Sequence, residues 1–464
     1  MKRWNIAVVL LLLFSALYAQ QGPKYVTGLV FDDESYEKTQ LKAPLLRSLY
    51  GSSLPTSVSL KKYTPIPKSQ GMYRTCVGWS TAYAALTIIE ARQNNWTDKA
   101  TITNNTFSPG FIYSLIKYSD DNNCSYGSSI NDALTTMKEM GTAKYNDLDI
   151  SCPEYIPGDL FSKASGHKIK DFAKIFGLYD NNDIKIEATK KSFSENKPVV
   201  IGMKCPESFN YATGYWKPTE NYWDNFGGHA MCVIGYDNNK YEGAFEIQNS
   251  WGEDWGNQGY IWIKYEDYAN FTKYAFELIE EPKSKPFDVV DLSGKLKFLL
   301  ADGREMKASL AGNKYKMNQS YRSGTRFRIY ISNNEPAFVY AFSSDFTNNT
   351  YQIFPHNEYI SPALTYKQND VAIPDEDHYI EMDDNIGIDY LCVLYSKNLL
   401  DIDEIRHRIE QEYGTFQEKV EKTLSSQMVK FEDIEYFPYD QIGFRAKSKG
   451  KSIAVLIVET EHIE

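Results

Sequence analysis

The stretch Gln70-Gly71-Met72-Tyr73-Arg74-Thr75-Cys76-Val77-Gly78-Trp79 leads a glycine-containing loop to a cysteine that opens an apolar, proline-free run ending at Gln93. A run that is apolar on nearly every side folds as a buried helix, and Cys76 then stands at its N-terminus. Free backbone N–H groups and the positive end of the helix dipole favour a thiolate there and lower the thiol pKa. Such a cysteine is either a small buried hydrophobe or a nucleophile, and a nucleophile needs a base. The chain has six histidines. His229 is singled out because it enters an apolar run directly after Gly227-Gly228, while Asn249 ends the following run. Both stand ten residues from Asn239, in the turn-forming stretch between the runs, so a symmetric hairpin sets their side chains opposite each other. An Asn amide oxygen accepting from one imidazole nitrogen fixes the tautomer and aims the other nitrogen at the thiol. Cys76, His229 and Asn249 thus form a candidate triad for acyl transfer through a thioester. Trp251 can shield the His–Asn hydrogen bond from water and strengthen it, or it is an ordinary core tryptophan. Gln70, six residues before Cys76, can bring its amide N–H beside the Cys76 backbone N–H where an oxyanion develops; alone, it reads as a solvated loop residue.

The elements that must position these residues follow from periodicity. Ile130 to Met140 is an amphipathic pattern closed by Gly141, and helical, polar material continues to about Asn196. From Pro198 the chain turns strand-rich: 198–203, 229–236, 244–249 and 260–265 are apolar or alternating runs punctuated by Asp237-Asn238-Asn239 and Gly256-Asn257-Gln258-Gly259. Helices first and sheet second indicate an α+β domain. Glu280 to Pro286, with two prolines and mixed charge, has the composition of an interdomain linker. Beyond it, Arg326 to Ile331 and Ala337 to Phe342 flank a turn-forming stretch, which is a hairpin pattern. Asp401 to Met428 is helical in pattern apart from Gly414, and Ser452 to Val458 is a final apolar strand. The second domain is therefore mostly β with one helical excursion.

The segments Gln70-Gly71 to Cys76, Gly228-His229-Ala230 and Gln248-Asn249-Ser250-Trp251-Gly252 closely resemble the papain-like cysteine peptidases, particularly their bacterial branch with Cys-Val-Gly-Trp after the loop. The resemblance covers about residues 63–282. It implies two lobes, one helical and one β-barrel-like, with Cys76 as nucleophile, His229 as acid/base, Asn249 as the group that orients it and Gln70 as oxyanion donor. The substrate is then a protein or peptide and no cofactor or metal is required. Gly127 and Ser128 resemble the edge that pairs with substrate backbone. Ala230 and Gly202 resemble the lining of the pocket for the second residue on the acyl side. Arg74 stands where the family usually has glycine, on the wall near the residue preceding the cut, and implies a preference for acidic side chains there. Tyr73 replaces a cysteine that forms a disulfide in many members. Cys124 and Cys152 both lie in loop-like stretches and are expected to pair, whereas Cys232 and Cys392 read as packed thiols and Cys205 is unassigned. Residues 321–398, including Phe354-Pro355 and Leu394-Tyr395-Ser396, resemble a bacterial domain of unknown function appended to peptidases, read here as a binding or positioning domain. Its histidines, His356, His378, His407 and His462, lack metal-ligand spacing.

Composition narrows the class. With 42% hydrophobic and 24% charged residues over 464 positions, the chain can bury cores and is long enough for two to four domains. A net charge of −11 disfavours nucleic acid as a partner. Lys2 and Arg3, the apolar run from Ile6 to Leu17 and Ala19 form a signal-peptide pattern whose run is too short to span a membrane. Expected segments are thus a signal peptide at 1–19, a lead-in or short propeptide at 20–62, the peptidase domain at 63–282 and the β-rich domain at 283–464, in an exported protein without a membrane span. Two rivals use the same residues: a catalytically silent binding protein, and an acyl transferase or amidase.

Overall fold

The computed structural model describes residues 25–43, 54–282, 285–345, 347–365, 370–438 and 441–464. The expected signal peptide, part of the lead-in, and Lys283 and Ser284 of the expected linker lie outside the described residues. Among the described residues the chain forms two compact units. One takes the residues up to Asp32 with Ser57–Lys168 and Pro198–Ala275, and the other takes the rest.

The centre of the first unit is one continuous helix, α-helical over Cys76–Gly78 and Thr87–Gln93 and π-helical over Trp79–Leu86. Every residue from Cys76 to Ile89 is buried, as its all-round apolar pattern requires. Two of the hydroxyls in that run are satisfied within the helix: Ser80 and Thr81 each donate to the Val77 carbonyl, at 3.0 and 2.7 Å. Two further helices brace it. Pro109–Ile116 is capped by Ser108, whose hydroxyl accepts from the Phe111 N–H. Its first turn approaches so closely that a Cβ on Gly78 would sit 2.3 Å from the Pro109 carbonyl oxygen. Ile130–Glu139 is capped by Ser129 and stops before Gly141 at φ +86°.

The same unit holds a sheet in which Val199–Lys204, Gly228–Asp237, Ala244–Gln248 and Tyr260–Lys264 are successive antiparallel neighbours. Gly214–Trp216 runs parallel to the last of these, and Ser57–Ser59 pairs with the far end of Gly228–Asp237. Strand Gly228–Asp237 is buried along all but its last residue, so its side chains are apolar on both faces. His229 is the exception that needs a partner.

The second unit is mostly β. One sheet is ordered Val371–Ile373, Arg326–Ser332, Leu292–Leu300, Ile442–Ala446, Ile434–Tyr436. The other is ordered Ala308–Ala311, Lys314–Met317, Ile453–Ile463, Gly387–Ser396, Ala337–Ser344, Thr350–Phe354. An apolar core containing Leu296, Ile331, Val339, Val393 and Leu456 draws on both sheets. Helices Ile402–Gln411 and Phe416–Leu424 cover the outer face of the second sheet through Ile409, Val420 and Phe342. They are separated at Gly414, φ +123°. Residues 326–342 are not the hairpin expected from sequence: Arg326–Ser332 belongs to one sheet and Ala337–Ser344 to the other. The buried Asn333 side chain donates to Glu335 and Leu364 carbonyls and thereby turns the chain across the sandwich. Period and turn composition are the same for both outcomes, so the pattern alone does not distinguish them. No helix among the described residues is long and apolar enough to cross a membrane.

Cys124 and Cys152 form a disulfide across a sequence separation of 28. Closing a loop of that length restricts the unfolded chain by about 3.6 kcal/mol. Replacing both cysteines by serine should lower the unfolding free energy of the first unit by about that amount, read from the shift of its urea transition. An unshifted transition would show that the crosslink adds no constraint.

Candidate active site

Cys76 is the first residue of the central helix and is fully buried. Its Sγ accepts from the Ala230 N–H at 3.5 Å, and backbone N–H groups of Gly28, Cys76 and Val77 also face it. These donors do stabilise a thiolate, but burial outweighs them and pushes the thiol up to about 11. The lowered pKa expected from the helix N-terminus is therefore absent in this state.

His229 donates from Nε2 to Asn249 Oδ1 at 2.7 Å. The other ring nitrogen, Nδ1, has no hydrogen-bond partner, and burial holds the imidazole down at about 4 against the opposing effect of the Asn249 bond. The pairing is not the face-to-face arrangement of a symmetric hairpin. Asp237 pairs with Ala244, yet Cys232 pairs with Gln248, because a bulge between Val233 and Gly235 shifts the register by one. Ile234 is the extra residue, and its carbonyl accepts from the Leu60 N–H at 2.7 Å. Continued past the last pair, this register sets Trp251 level with His229 and makes Asn249 a diagonal neighbour on the same face. Trp251 accordingly lies over the imidazole, with centroids 4.7 Å apart and planes at 22°. It is held from behind by Phe209 and Trp255.

Gln70 is buried. Its backbone N–H donates to the Ser250 carbonyl, and its Oε1 accepts from Ser250 Oγ at 2.6 Å. Its Nε2 donates to the Tyr73 carbonyl at 2.7 Å and the Val26 carbonyl at 3.3 Å. Ser250 thus orients the amide, a contact that sequence reasoning missed although the residue sits between Asn249 and Trp251. Its position inside that motif was the available signal.

A self-segment, residues 25–31, occupies this site. Tyr25 stacks on Trp251 at 4.9 Å, and the Val26 carbonyl accepts from Trp251 Nε1 at 3.1 Å. Gly28 then passes the thiol so closely that a Cβ there would sit 2.1 Å from the Arg74 carbonyl oxygen. The Gly28 carbonyl accepts from Ser128 N–H, and Val30 N–H donates to the Ser128 carbonyl, at 2.9 and 3.0 Å. Gly127, at φ +87°, leaves room for this: its Cβ would lie 2.3 Å from the Gly28 carbonyl oxygen. Leu29 N–H donates to Gly228 O at 3.0 Å. The Leu29 side chain lies over Gly202, which pairs with Ala230. Arg74 is exposed, with its backbone N–H on the Cys124 carbonyl, and its φ is not in the left-handed region. Cys205, Cys232 and Cys392 are free thiols, the last two buried. Among the described residues no group of three or more His, Cys, Asp or Glu is arranged to hold a metal ion.

Two segments of the chain match known family models. Residues 60–277 match the model of the papain family of cysteine proteases, and residues 320–398 match DUF4384, a domain of unknown function. An uncharacterized peptidase C1-like protein of Acanthamoeba polyphaga mimivirus is 28% identical over 258 residues, covering 50% of this chain and 78% of its own. Cathepsin K of Gallus gallus is 26% identical over 223 residues, 46% of this chain and 59% of its own. Among solved structures, Xylellain, a cysteine protease from Xylella fastidiosa, is 23% identical with a TM-score of 0.45, covering 56% of this chain and 98% of its own. The chain thus carries a papain-family cysteine peptidase domain across residues 60–277 and a DUF4384 domain across residues 320–398.

Proposed function

We propose that the protein is an exported endopeptidase that cuts through a thioester on Cys76 and is held inactive by its own residues 25–31. The observation that carries the catalytic reading is the His229–Asn249 hydrogen bond of 2.7 Å with the second ring nitrogen left unpartnered. That nitrogen takes the Cys76 proton, and the sulfur attacks the scissile carbonyl carbon as the C=O π pair moves onto oxygen. Gln70 Nε2–H and the Cys76 N–H donate to that oxyanion. Collapse re-forms the carbonyl and breaks the C–N bond. The departing amine takes its proton from His229, leaving a thioester. Water then attacks, giving its proton to His229, and the acid leaves as the thiol re-forms. Asn249 holds the ring in the tautomer these steps need, and Trp251 keeps water from that bond.

Cleft occupancy accounts for the resting pKa pattern. Residues 25–31 run from Trp251 past the thiol toward Gly202 and Ala230. In the papain-like reading a substrate runs the other way, with its acyl side over Gly202 and Ala230. The self-segment therefore takes up the donors of a substrate in reversed polarity. Leu29 over Gly202 supports an apolar second residue on the acyl side, and Arg74, exposed near Gly28, supports an acidic residue before the cut. The Cys124–Cys152 disulfide suits an oxidising destination and supports the signal-peptide reading of residues 1–19. The working division is a lead-in at 20–62, a peptidase domain at 63–282 and a β-rich domain at 283–464.

With the Cys76 thiol near 11, about one molecule in 10,000 is thiolate at pH 7. Iodoacetamide labelling of Cys76 in the intact chain should be slow at pH 7 and accelerate as pH rises toward 11, followed by peptide mapping. Fast labelling at neutral pH would contradict the occluded state.

Valine at position 28 cannot pass the Arg74 carbonyl, so Gly28→Val should expel the segment. An epoxysuccinyl probe should then add once to Gly28→Val and at least tenfold more slowly to the parent, by intact mass. It should not add to a Gly28→Val, Cys76→Ala double variant. A folded Gly28→Val variant that takes up no probe would sink the peptidase reading. In the opened enzyme Ser250→Ala, which frees the Gln70 amide to rotate, should cut kcat about tenfold with little change in KM. Arg74→Gly should abolish selection of Asp or Glu before the cut in a peptide library.

A further inference from the structure

The two sheets of the second unit enclose a cavity of about 260 Å³, where strand Ala337–Ser344 ends and strand Gly387–Ser396 begins. Its walls are apolar. Phe298, Met306 and Ile329 come from one sheet, and Met317, Ile353 and Leu391 from the other. Sandwich interiors close to crystalline density, and a gap of this size leaves its lining without partner atoms on one side. An aliphatic cavity of roughly 150 Å³ already takes up benzene, so this one has room for a ring-bearing side chain or a medium alkyl chain. Met306, Met317 and Met382 around it are unbranched and adjust to the shape of what they cover.

The mouth is acidic. Asp345, Asp383 and Asp389 stand on it, and among the described residues no lysine or arginine pairs with any of the three. The basic group that faces them is His462, buried, with Nδ1 3.1 Å from Asp389 and 4.0 Å from Asp383 and Nε2 3.0 Å from Ser323 Oγ. Glu381, also on the rim, is already offset by Arg326 at 3.6 Å. Burial, joined by the carboxylates of Asp383 and Asp345, outweighs the opposing pull of His462 and holds the Asp389 carboxyl above its usual range. The carboxylates are not a metal site, since no group of three or more His, Cys, Asp or Glu among the described residues has that arrangement. An apolar chamber whose entrance carries three carboxylates, faced by a single histidine and no lysine or arginine pair among the described residues, fits one ligand chemistry.

We propose that this cavity binds an apolar group bearing a single amine cation, with the apolar part inside the sandwich and the ammonium among Asp345, Asp383 and Asp389. The cavity selects for size through its walls and for sign through its mouth, where an anion of the same shape meets three carboxylates. Two sources supply this chemistry: a free alkylamine, or the N-terminus of a peptide whose first side chain is bulky and apolar.

The test is calorimetric titration of the full chain with octylammonium, octanol, octanoate, Phe-Gly-Gly and N-acetyl-Phe-Gly-Gly. An amine should bind at least tenfold more tightly than its uncharged counterpart, with no binding of octanoate. Binding of the tripeptide but not its acetylated form assigns the site to peptide N-termini; octylammonium alone assigns it to small amines. Met306→Trp, which fills the chamber, should abolish binding, and Ile353→Trp replaces it if circular dichroism shows the first variant unfolded. Asp383→Asn with Asp389→Asn should reduce octylammonium to the affinity of octanol and leave octanol unchanged. Absence of binding by both amines, binding of octanoate equal to octylammonium, or amine binding indifferent to the filling variants would overturn the proposal.

Discussion

The single residue inserted at Ile234 governs the site. Strand Gly228–Asp237 leaves its turn paired as Asp237 with Ala244, a register that would carry His229 and Asn249 onto opposite faces of the sheet. The bulge moves the pairing by one, so that Cys232 meets Gln248 and the two side chains share a face. The 2.7 Å hydrogen bond is then a diagonal contact, and the position level with His229 falls to Trp251. One shift of register therefore provides both the partner that orients the ring and the indole that covers it. The bulge is itself anchored, because the Ile234 carbonyl accepts from Leu60 as the neighbouring strand Ser57–Ser59 takes over the edge.

Two effects compete at Cys76. Helix-terminal N–H groups and the Ala230 N–H favour a thiolate, while burial favours the neutral thiol, and burial prevails. His229 answers to the same cause and is held neutral. A thiolate–imidazolium pair beneath the segment would be two fully buried charges, whose desolvation opposes their mutual attraction. A neutral thiol and a neutral imidazole are the natural resting state of a covered site. In the proposed mechanism the same residues acquire reactivity by regaining solvent and substrate dipoles, with no change in their connectivity.

Much of the site was legible because its parts are short and local. The loop from Gln70 to Cys76, the Gly228-His229-Ala230 step and the run Gln248 to Gly252 each carry their chemistry within a few residues, and the structure gathers them with Trp251 around one point. The helical first half and strand-rich second half of the first unit were visible as changes of period. What the sequence concealed is long-range. Nothing in Tyr25 to Phe31 distinguishes a cleft-filling strand from a plain lead-in, since its hydrogen bonds go to Ser128 and Gly228. Residues 326–342 carry the same pattern whether they form a hairpin or cross between sheets. The membership of 169–197 in the second unit depends on pairing of Ile169–Lys174 with Phe276–Glu280, which no local signal announces.

Residues 25–31 stay in place through connectivity as well as through their side chains. Thr27 and Gly28 offer little surface, and a few backbone hydrogen bonds are worth about 1 kcal/mol each in water. Tyr25 on Trp251, Leu29 over Gly202 and Phe31 against Tyr274 add apolar contact. The chain also passes directly from Phe31 into helix Asp33–Lys38 of the second unit. There Tyr36 donates to the Phe176 carbonyl, and Lys42 sits between Glu195 and Glu277 at 2.6 and 2.8 Å. Buried ion pairs of this kind add little net stability, yet losing one partner strands the other. They therefore fix position more than they strengthen the fold. Because residues 25–31 belong to the same chain as the cleft they fill, occupancy is an intramolecular event at high effective concentration. A short segment of the same chain then suffices to cover the Cys76 thiol.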